Sequence, residues 1–193
     1  MRASAPAFGG PLSDAPGAAA ERRLHLVQGD YHVSGEPGLA LTTLLGSCVA
    51  ACLHDPVARV GGMNHFLLPG AEAGAPREAR DPDVVHLMEL LVNGLLREGA
   101  KRERLEAKLF GGGRAMDCLA DDVGARNAAF ARRFLAYEGV RIIGGSLGGD
   151  KGRRLQFWPA TGRARQSLID RAEIPRGPLR PPRRKDAGAV EFF

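Results

Sequence analysis

From Leu24 to Gln28 the chain alternates apolar and polar positions as a half-buried strand does, and Glu36-Pro37-Gly38 then marks a turn. Two β-like runs follow, Cys48 to Leu53 and Val60 to Leu68, flanking His54-Asp55-Pro56-Val57-Ala58-Arg59. This spacing predicts a hairpin. Asp at the first and Pro at the second position of Asp55-Pro56-Val57-Ala58 suit a type I turn, because Pro presets the dihedral that position needs. Counting outward from Asp55 and Ala58 sets Cys48 directly across from His65, with Cβ atoms roughly 4.5 to 5.5 Å apart. A bulge near Gly61-Gly62 would move that register by one residue.

The period then changes from two to 3.6. Asp81 as N-cap and Pro82 at the first helical position open a helix whose apolar face is Val84, Val85, Leu87, Met88, Leu91, Val92, Leu95 and Leu96, with Gly99 at its C-terminus. A strand from Leu105 to Phe110 leads into Gly111-Gly112-Gly113. A second helix runs from about Asp122 to Glu138 and is closed by Gly139, and Val140 to Ile143 is another strand. Ser146 to Gly152 makes a tight turn, and Arg154 to Trp158 with Arg163 to Leu168 form a closing hairpin around Pro159 to Gly162. The order β, β-hairpin, α, β, α, β, β-hairpin predicts the α/β (α+β) class: a single domain, a three-layer sandwich with helices packed on a mixed β-sheet.

Composition narrows this picture. The 193 residues, 44% of them hydrophobic, suffice for one well-filled core. Residues 1–21, rich in Ala, Gly, Pro and Ser, read as a disordered leader, 22–172 as the folded domain, and 173–193 as a basic, Pro/Arg-rich disordered tail. No stretch approaches the roughly 20 apolar residues of a membrane helix, so a cytoplasmic protein without membrane insertion is expected. The net charge of +5 is concentrated in the tail, where Arg176, Arg180, Arg183, Arg184 and Lys185 face only Asp186 and Glu191. Without interleaved aromatics this pattern marks a solvated end, and nucleic acid is not expected as a partner. Three cysteines, Cys48, Cys52 and Cys118, form no disulfide framework and are expected as free thiols.

The candidate chemistry lies in the hairpin. Cysteine attacks an amide as thiolate, and a free pKa of roughly 8.5 requires a neighbouring base or dipole to supply one at neutral pH. His65 across the ladder meets that need. Gly46-Ser47 before Cys48 lets the backbone bend and turn main-chain N–H groups towards the attacked carbonyl, as an oxyanion hole requires. The competing reading makes Cys48 and His65 ordinary strand residues, since free cysteine is among the most buried residue types. Cys48 and Cys52 share a face, yet C-x₃-C without a second cluster is a weak metal signal, and Cys52 reads more simply as core. Neither Gly111-Gly112-Gly113 nor Gly148-Gly149-Asp150-Lys151-Gly152 carries the phosphate-loop pattern, and both read as tight turns.

The stretch Leu45-Gly46-Ser47-Cys48 through Gly61-Gly62-Met63-Asn64-His65-Phe66-Leu67-Leu68-Pro69 resembles the signature of the CheD chemoreceptor glutamine deamidases. Further blocks resemble the family in family order: Glu98-Gly99-Ala100-Lys101, Leu105 to Gly112, Val123-Gly124-Ala125-Arg126-Asn127 and Leu147 to Arg153. The resemblance spans about Leu24 to Leu168. It implies Cys48 as nucleophile, His65 as its base and Thr42, six residues before the cysteine and adjacent to Thr43, as the third member. It also implies hydrolysis of receptor glutamine side chains to glutamate through a γ-glutamyl thioester, without metal or cofactor. The implied partners are methyl-accepting chemotaxis receptors as protein substrate and, for some members, the CheC phosphatase, so an adaptor role towards receptor or CheC is the alternative. A transglutaminase-like or protease activity would share the nucleophile and base. Two positions depart from the family pattern, Ser146 where an acidic residue is usual and Gly113-Arg114 where an Asn is usual.

Overall fold

The computed structural model describes residues 21–68, 82–114 and 123–170. Among these form β1 (Arg22–His25), β2 (Tyr31–Ser34), β3 (Leu39–Leu45), β4 (Val49–Asp55), β5 (Val60–Asn64), α1 (Pro82–Arg97), β6 (Glu106–Gly111), α2 (Val123–Tyr137), β7 (Arg141–Leu147), β8 (Gly152–Trp158) and β9 (Arg163–Ile169). The strands build two sheets, in the orders β1-β3-β8-β9 and β2-β5-β4-β6-β7. Both are mixed, since β1 runs parallel to β3 and β6 parallel to β7 while the other pairs are antiparallel.

Strand β4 shows why the layers stack as they do. Its Val49, Ala51 and Leu53 share a cluster with Met88, Leu91 and Leu95 of α1 and Ala131 and Leu135 of α2. Its Ala50 and Cys52 share another with Leu41 and Leu45 of β3 and Leu155 and Phe157 of β8. Side chains alternate along a strand, so a strand covered on both faces must be apolar at consecutive positions, as Val49 to Leu53 is. The expected three-layer α+β sandwich therefore forms, and its β part is two sheets: one of four strands, one of five, then the helices. Both helices end in the bonding of a Schellman motif: Ala100 N–H to Leu95 carbonyl at 3.0 Å and Gly99 to Leu96 at 3.2 Å, and likewise Val140 to Leu135 at 2.8 Å and Gly139 to Ala136 at 3.2 Å.

The β4–β5 hairpin departs from the expected register. The pairs are Asp55↔Val60, His54↔Gly61, Leu53↔Gly62 and Cys52↔Met63, continued by the bridge Val49↔Phe66. The loop is thus 56–59, two residues longer than the two-residue turn. Arg59, at φ 55°, supplies the left-handed position that closes it. A shift of two keeps every side chain on its face, where a shift of one would have inverted them.

Among the described residues no helix is long and apolar enough to cross a membrane. The expected leader apart from Glu21, the tail, Cys118 and the N-cap Asp81 lie outside the described residues.

Candidate active site at the β3–β4 turn

Cys48 stands between the end of β3 and the start of β4, partly buried and packed against the cluster between the sheets. On the observed register His65 lies across from Ala50, which puts it diagonal to Cys48 on the same inter-sheet face rather than opposite it. In a regular ladder such diagonal neighbours are roughly 7 Å apart, more than the expected opposed pair. His65 is held by its backbone, its N–H donating to the Asp30 carbonyl at 3.0 Å and its carbonyl accepting from Gly29 at 2.8 Å.

The imidazole is oriented by Thr43, not Thr42. Thr43 projects from β3 into the inter-sheet layer, where its Oγ lies 2.8 Å from His65 Nδ1 and 2.8 Å from the Leu26 carbonyl. A carbonyl only accepts, so the hydroxyl proton goes to Leu26 and the hydroxyl accepts from Nδ1–H. That places the lone pair on Nε2, which is buried and has no hydrogen-bond partner among the described residues. Thr42, one residue earlier, points to the outer face of the four-stranded sheet and meets His25 Nδ1 at 3.3 Å. Alternation along β3 puts the two threonines on opposite faces, and Thr43 rather than the expected Thr42 is the one that meets His65.

Burial governs the charge states. It pushes the Cys48 thiol up to about 11, against the pull of the residue's own backbone N–H, and it holds His65 down at about 4, against the Leu26 carbonyl. The resting pair is therefore a neutral thiol and a neutral imidazole with a free lone pair. The thiol's contact is Gln28, whose Oε1 lies 3.9 Å from Sγ.

Three successive carbonyls around Cys48 are tied down. Gly113 N–H donates to Gly46 at 2.8 Å and Gly112 N–H to Cys48 at 2.7 Å, while Asn127 Nδ2 donates to Ser47 at 2.8 Å. In a trans peptide C=O and N–H point opposite ways. The N–H groups of Ser47 and Cys48 are thereby turned away from the glycine loop and from Asn127.

Asn127 carries no weight in the sequence reading beyond its place in the resemblance. It is fully buried in α2, and its Oδ1 also accepts from Leu68 N–H at 2.8 Å, clasping both chain segments that flank Cys48 and His65. The signal for it is a polar residue within the helix's buried stripe Gly124, Asn127, Ala131, Leu135.

Both glycine blocks support this turn. A Cβ on Gly111, whose φ is 105°, would meet the Cys48 carbonyl oxygen, and one on Gly124 would meet the carbonyl oxygens of Gly112 and Gly113. The Leu147–Gly149 turn in its place bonds the loop through Gly148 N–H to Gly111 at 2.9 Å and Arg114 N–H to Gly149 at 2.8 Å. Buried Arg153 braces that turn by donating to the Gly148 and Lys151 carbonyls, with Ser146 Oγ 3.4 Å away. A groove of about 610 Å³, lined by Gly112, Arg114, Arg132, Gly148 and Asp150 among others, lies on the α2 side of the loop. Cys52 is buried in the core between the sheets. Among the described residues no group of three or more His, Cys, Asp or Glu is arranged to hold a metal.

The family model described as CheD chemotactic sensory transduction matches residues 67–167, beginning two residues after His65. Longer matches include the "Probable chemoreceptor glutamine deamidase CheD" of Sinorhizobium medicae (strain WSM419), 54% identical over 181 residues, covering 91% of this chain and 98% of that protein. The protein of the same name from Rhizobium leguminosarum bv. trifolii (strain WSM2304) is 52% identical, covering 90% and 97%. Its namesake from Acidiphilium cryptum (strain JF-5) is 54% identical, covering 89% and 94%. With relatives this similar across nearly the whole chain, the protein belongs to the CheD family.

Proposed function

We propose that this chain is a cytoplasmic protein-glutamine deamidase that converts glutamine side chains of chemoreceptors to glutamate, with Cys48 as nucleophile and His65 as base. The observation that carries the reading is the Thr43–His65 bond, which leaves a buried Nε2 lone pair on the face that also carries Cys48. The names of the relatives supply the substrate.

The neutral resting pair sets the order of events. Because the thiol is pushed up and the imidazole down, proton transfer from Sγ to Nε2 accompanies attack on the amide carbon rather than preceding it. Entry of a substrate carboxamide closes the diagonal gap between the two groups. The N–H groups of Ser47 and Cys48 stabilise the developing oxyanion. Protonated His65 then hands its proton to the departing nitrogen, and ammonia leaves behind a γ-glutamyl thioester. Water deprotonated by the again neutral His65 hydrolyses it to glutamate and frees the thiol. Thr43 keeps the ring's tautomer and orientation through both halves, as the third member of a triad does.

Incubating a receptor cytoplasmic fragment with the wild type and with Cys48→Ala tests this by mass spectrometry. A gain of about 1 Da per converted glutamine is expected with the wild type alone. No gain on any of several receptors, with binding retained, would replace the enzyme by an adaptor.

A further inference from the structure

Gln28 is the polar side chain at the site that this mechanism leaves without a task. It occupies the β1–β2 connection, in a turn closed by Asp30 N–H to the Val27 carbonyl at 3.0 Å. Gly29, at φ 87°, fills the position that a type II turn reserves for glycine. Both ends of the turn are fastened to the site. Leu26 N–H donates to the Thr42 carbonyl at 2.8 Å, and the Leu26 carbonyl accepts from Thr43. On the other side Gly29 and Asp30 bond the His65 carbonyl and N–H at 2.8 and 3.0 Å. Gln28 is therefore held in a fixed relation to both the imidazole and its orienting hydroxyl.

From this turn the carboxamide reaches the nucleophile, with Oε1 3.9 Å from Cys48 Sγ. With the C=O bond of about 1.23 Å and the oxygen facing the thiol as hydrogen-bond acceptor, the amide carbon lies roughly 4.1 to 5.1 Å from sulfur. Rotation about the side chain's two methylenes turns the carbon from this oxygen-first pose towards the roughly 3 to 3.5 Å of near-attack conformers. The group so placed is a primary carboxamide on two methylenes, the same group as the proposed substrate, and its tether removes the entropy cost of bringing it to the thiol.

We propose that Gln28 is a self-modification site, deamidated to glutamate by Cys48 of the same molecule, an inference that rests on the proposed role of Cys48. The Sγ–Cδ bond forms as the thiol proton passes to His65. The Cδ–Nε2 bond breaks as that proton moves to the nitrogen, and ammonia departs. Water then cleaves the intramolecular thioester, so the Gln28 carboxamide and water give a γ-carboxylate at that position and ammonia, with no oxidant or cofactor. A carboxylate beside Cys48 and His65 opposes the thiolate and favours the imidazolium, so the product form is the slower enzyme.

The chain has two other glutamines, Gln156 and Gln166, on β8 and β9, which serve as controls within the same molecule. Purified full-length wild type and Cys48→Ala are incubated, digested and followed by peptide mass spectrometry. The expected result is a gain of about 1 Da at residue 28 in the wild type alone, with residues 156 and 166 unchanged. Wild type with Cys48 alkylated after purification provides the same block without a mutation. A glutamine before glycine also deamidates unaided, so equal gain in blocked and unblocked protein overturns the proposal. Residue 28 staying glutamine in a wild type that deamidates a receptor fragment overturns it too, and leaves the proposed function standing. If it stays glutamine in a protein inert towards every receptor fragment, both fall.

Discussion

At the scale of single residues, the site turns on which of two adjacent threonines faces the inter-sheet layer. Thr43 is 1% exposed and bonded to His65, whereas Thr42 meets His25 on the outer face. Thr43→Val should lower kcat on a receptor fragment about 10²-fold with little change in KM, because the ring loses its tautomer and orientation. Thr43→Ser should restore most of the rate, and Thr42→Val should stay within about twofold. Equal losses at both positions would remove Thr43 from its positioning role. His65 makes a second prediction, in pH. Burial lowers its pKa from 6.5 to about 4, so the neutral base persists in acid and the acid limb of kcat/KM should lie near pH 4 rather than 6.5. The same shift affects stability. Between these values the unfolded chain binds a proton that the folded one does not, so stability present above pH 6.5 declines as pH falls, by on the order of 3 kcal/mol at pH 4. His32 and His54 are also lowered by burial, so the part due to His65 is what denaturant titrations lose on His65→Gln.

At the scale of elements, the turn that carries Cys48 is held from outside by α2 and the glycine loop. Asn127→Ala would leave the Ser47 carbonyl and the Leu68 N–H without their 2.8 Å partners, which should cost roughly 2 to 3 kcal/mol. Because the bond to the Ser47 carbonyl also sets the direction of the Cys48 N–H, kcat should fall as well, even at temperatures where the variant is fully folded by circular dichroism. A folded variant with wild-type kcat would show the clasp to be structural only. The elements also show what can be read in advance. Both helices are legible from their apolar period and terminal glycines, and the last hairpin from its alternation. The β2 strand is not, because Tyr31–Ser34 is short and only partly covered. Nor is β3, because Leu39–Leu45 has buried residues on both faces and lacks a clean alternation. The hairpin register differs by two because a positive φ at Arg59 has no signature in the residue itself. Since two is the strand period, the common face of Cys48 and His65 survives the error. Choosing between Thr42 and Thr43 needs the phase of β3 against β8, which no local pattern supplies.

At the scale of the whole molecule, β4 joins the end of the sandwich that carries the proposed site to a structural one. Cys48 precedes its first residue and Asp55 is its last, so the two lie on the order of 20 Å apart along the strand. Asp55 is fully buried. Its carboxylate accepts from the N–H groups of Val57 and Ala58 in the hairpin loop and of Lys101 beyond α1, and it takes two donors from Arg104. Burial alone would raise its pKa, yet Arg104 and the three N–H groups outweigh burial and hold the carboxyl well below the usual carboxylate range. For a depressed carboxylate the contribution to stability is complete above the unfolded value of 3.8 and is lost as pH falls below it. The acid response of the fold thus divides into a histidine window between pH 6.5 and 4 and a carboxylate window beneath it. Asp55→Ala should cost roughly 3 kcal/mol at pH 7, since it strands three N–H groups and the guanidinium, with Arg104 partly able to turn to solvent. It should leave kcat within about twofold where the variant is folded, because nothing that orients Cys48, His65 or Thr43 passes through the hairpin loop. Denaturant titrations at pH 7, 5 and 3 check this: the deficit of the variant should be the same at the first two values and shrink at the third. A deficit that already shrinks between pH 7 and 5 would mean that Asp55 is not held as a carboxylate by Arg104, and a fall in kcat would mean that the two ends of β4 are coupled.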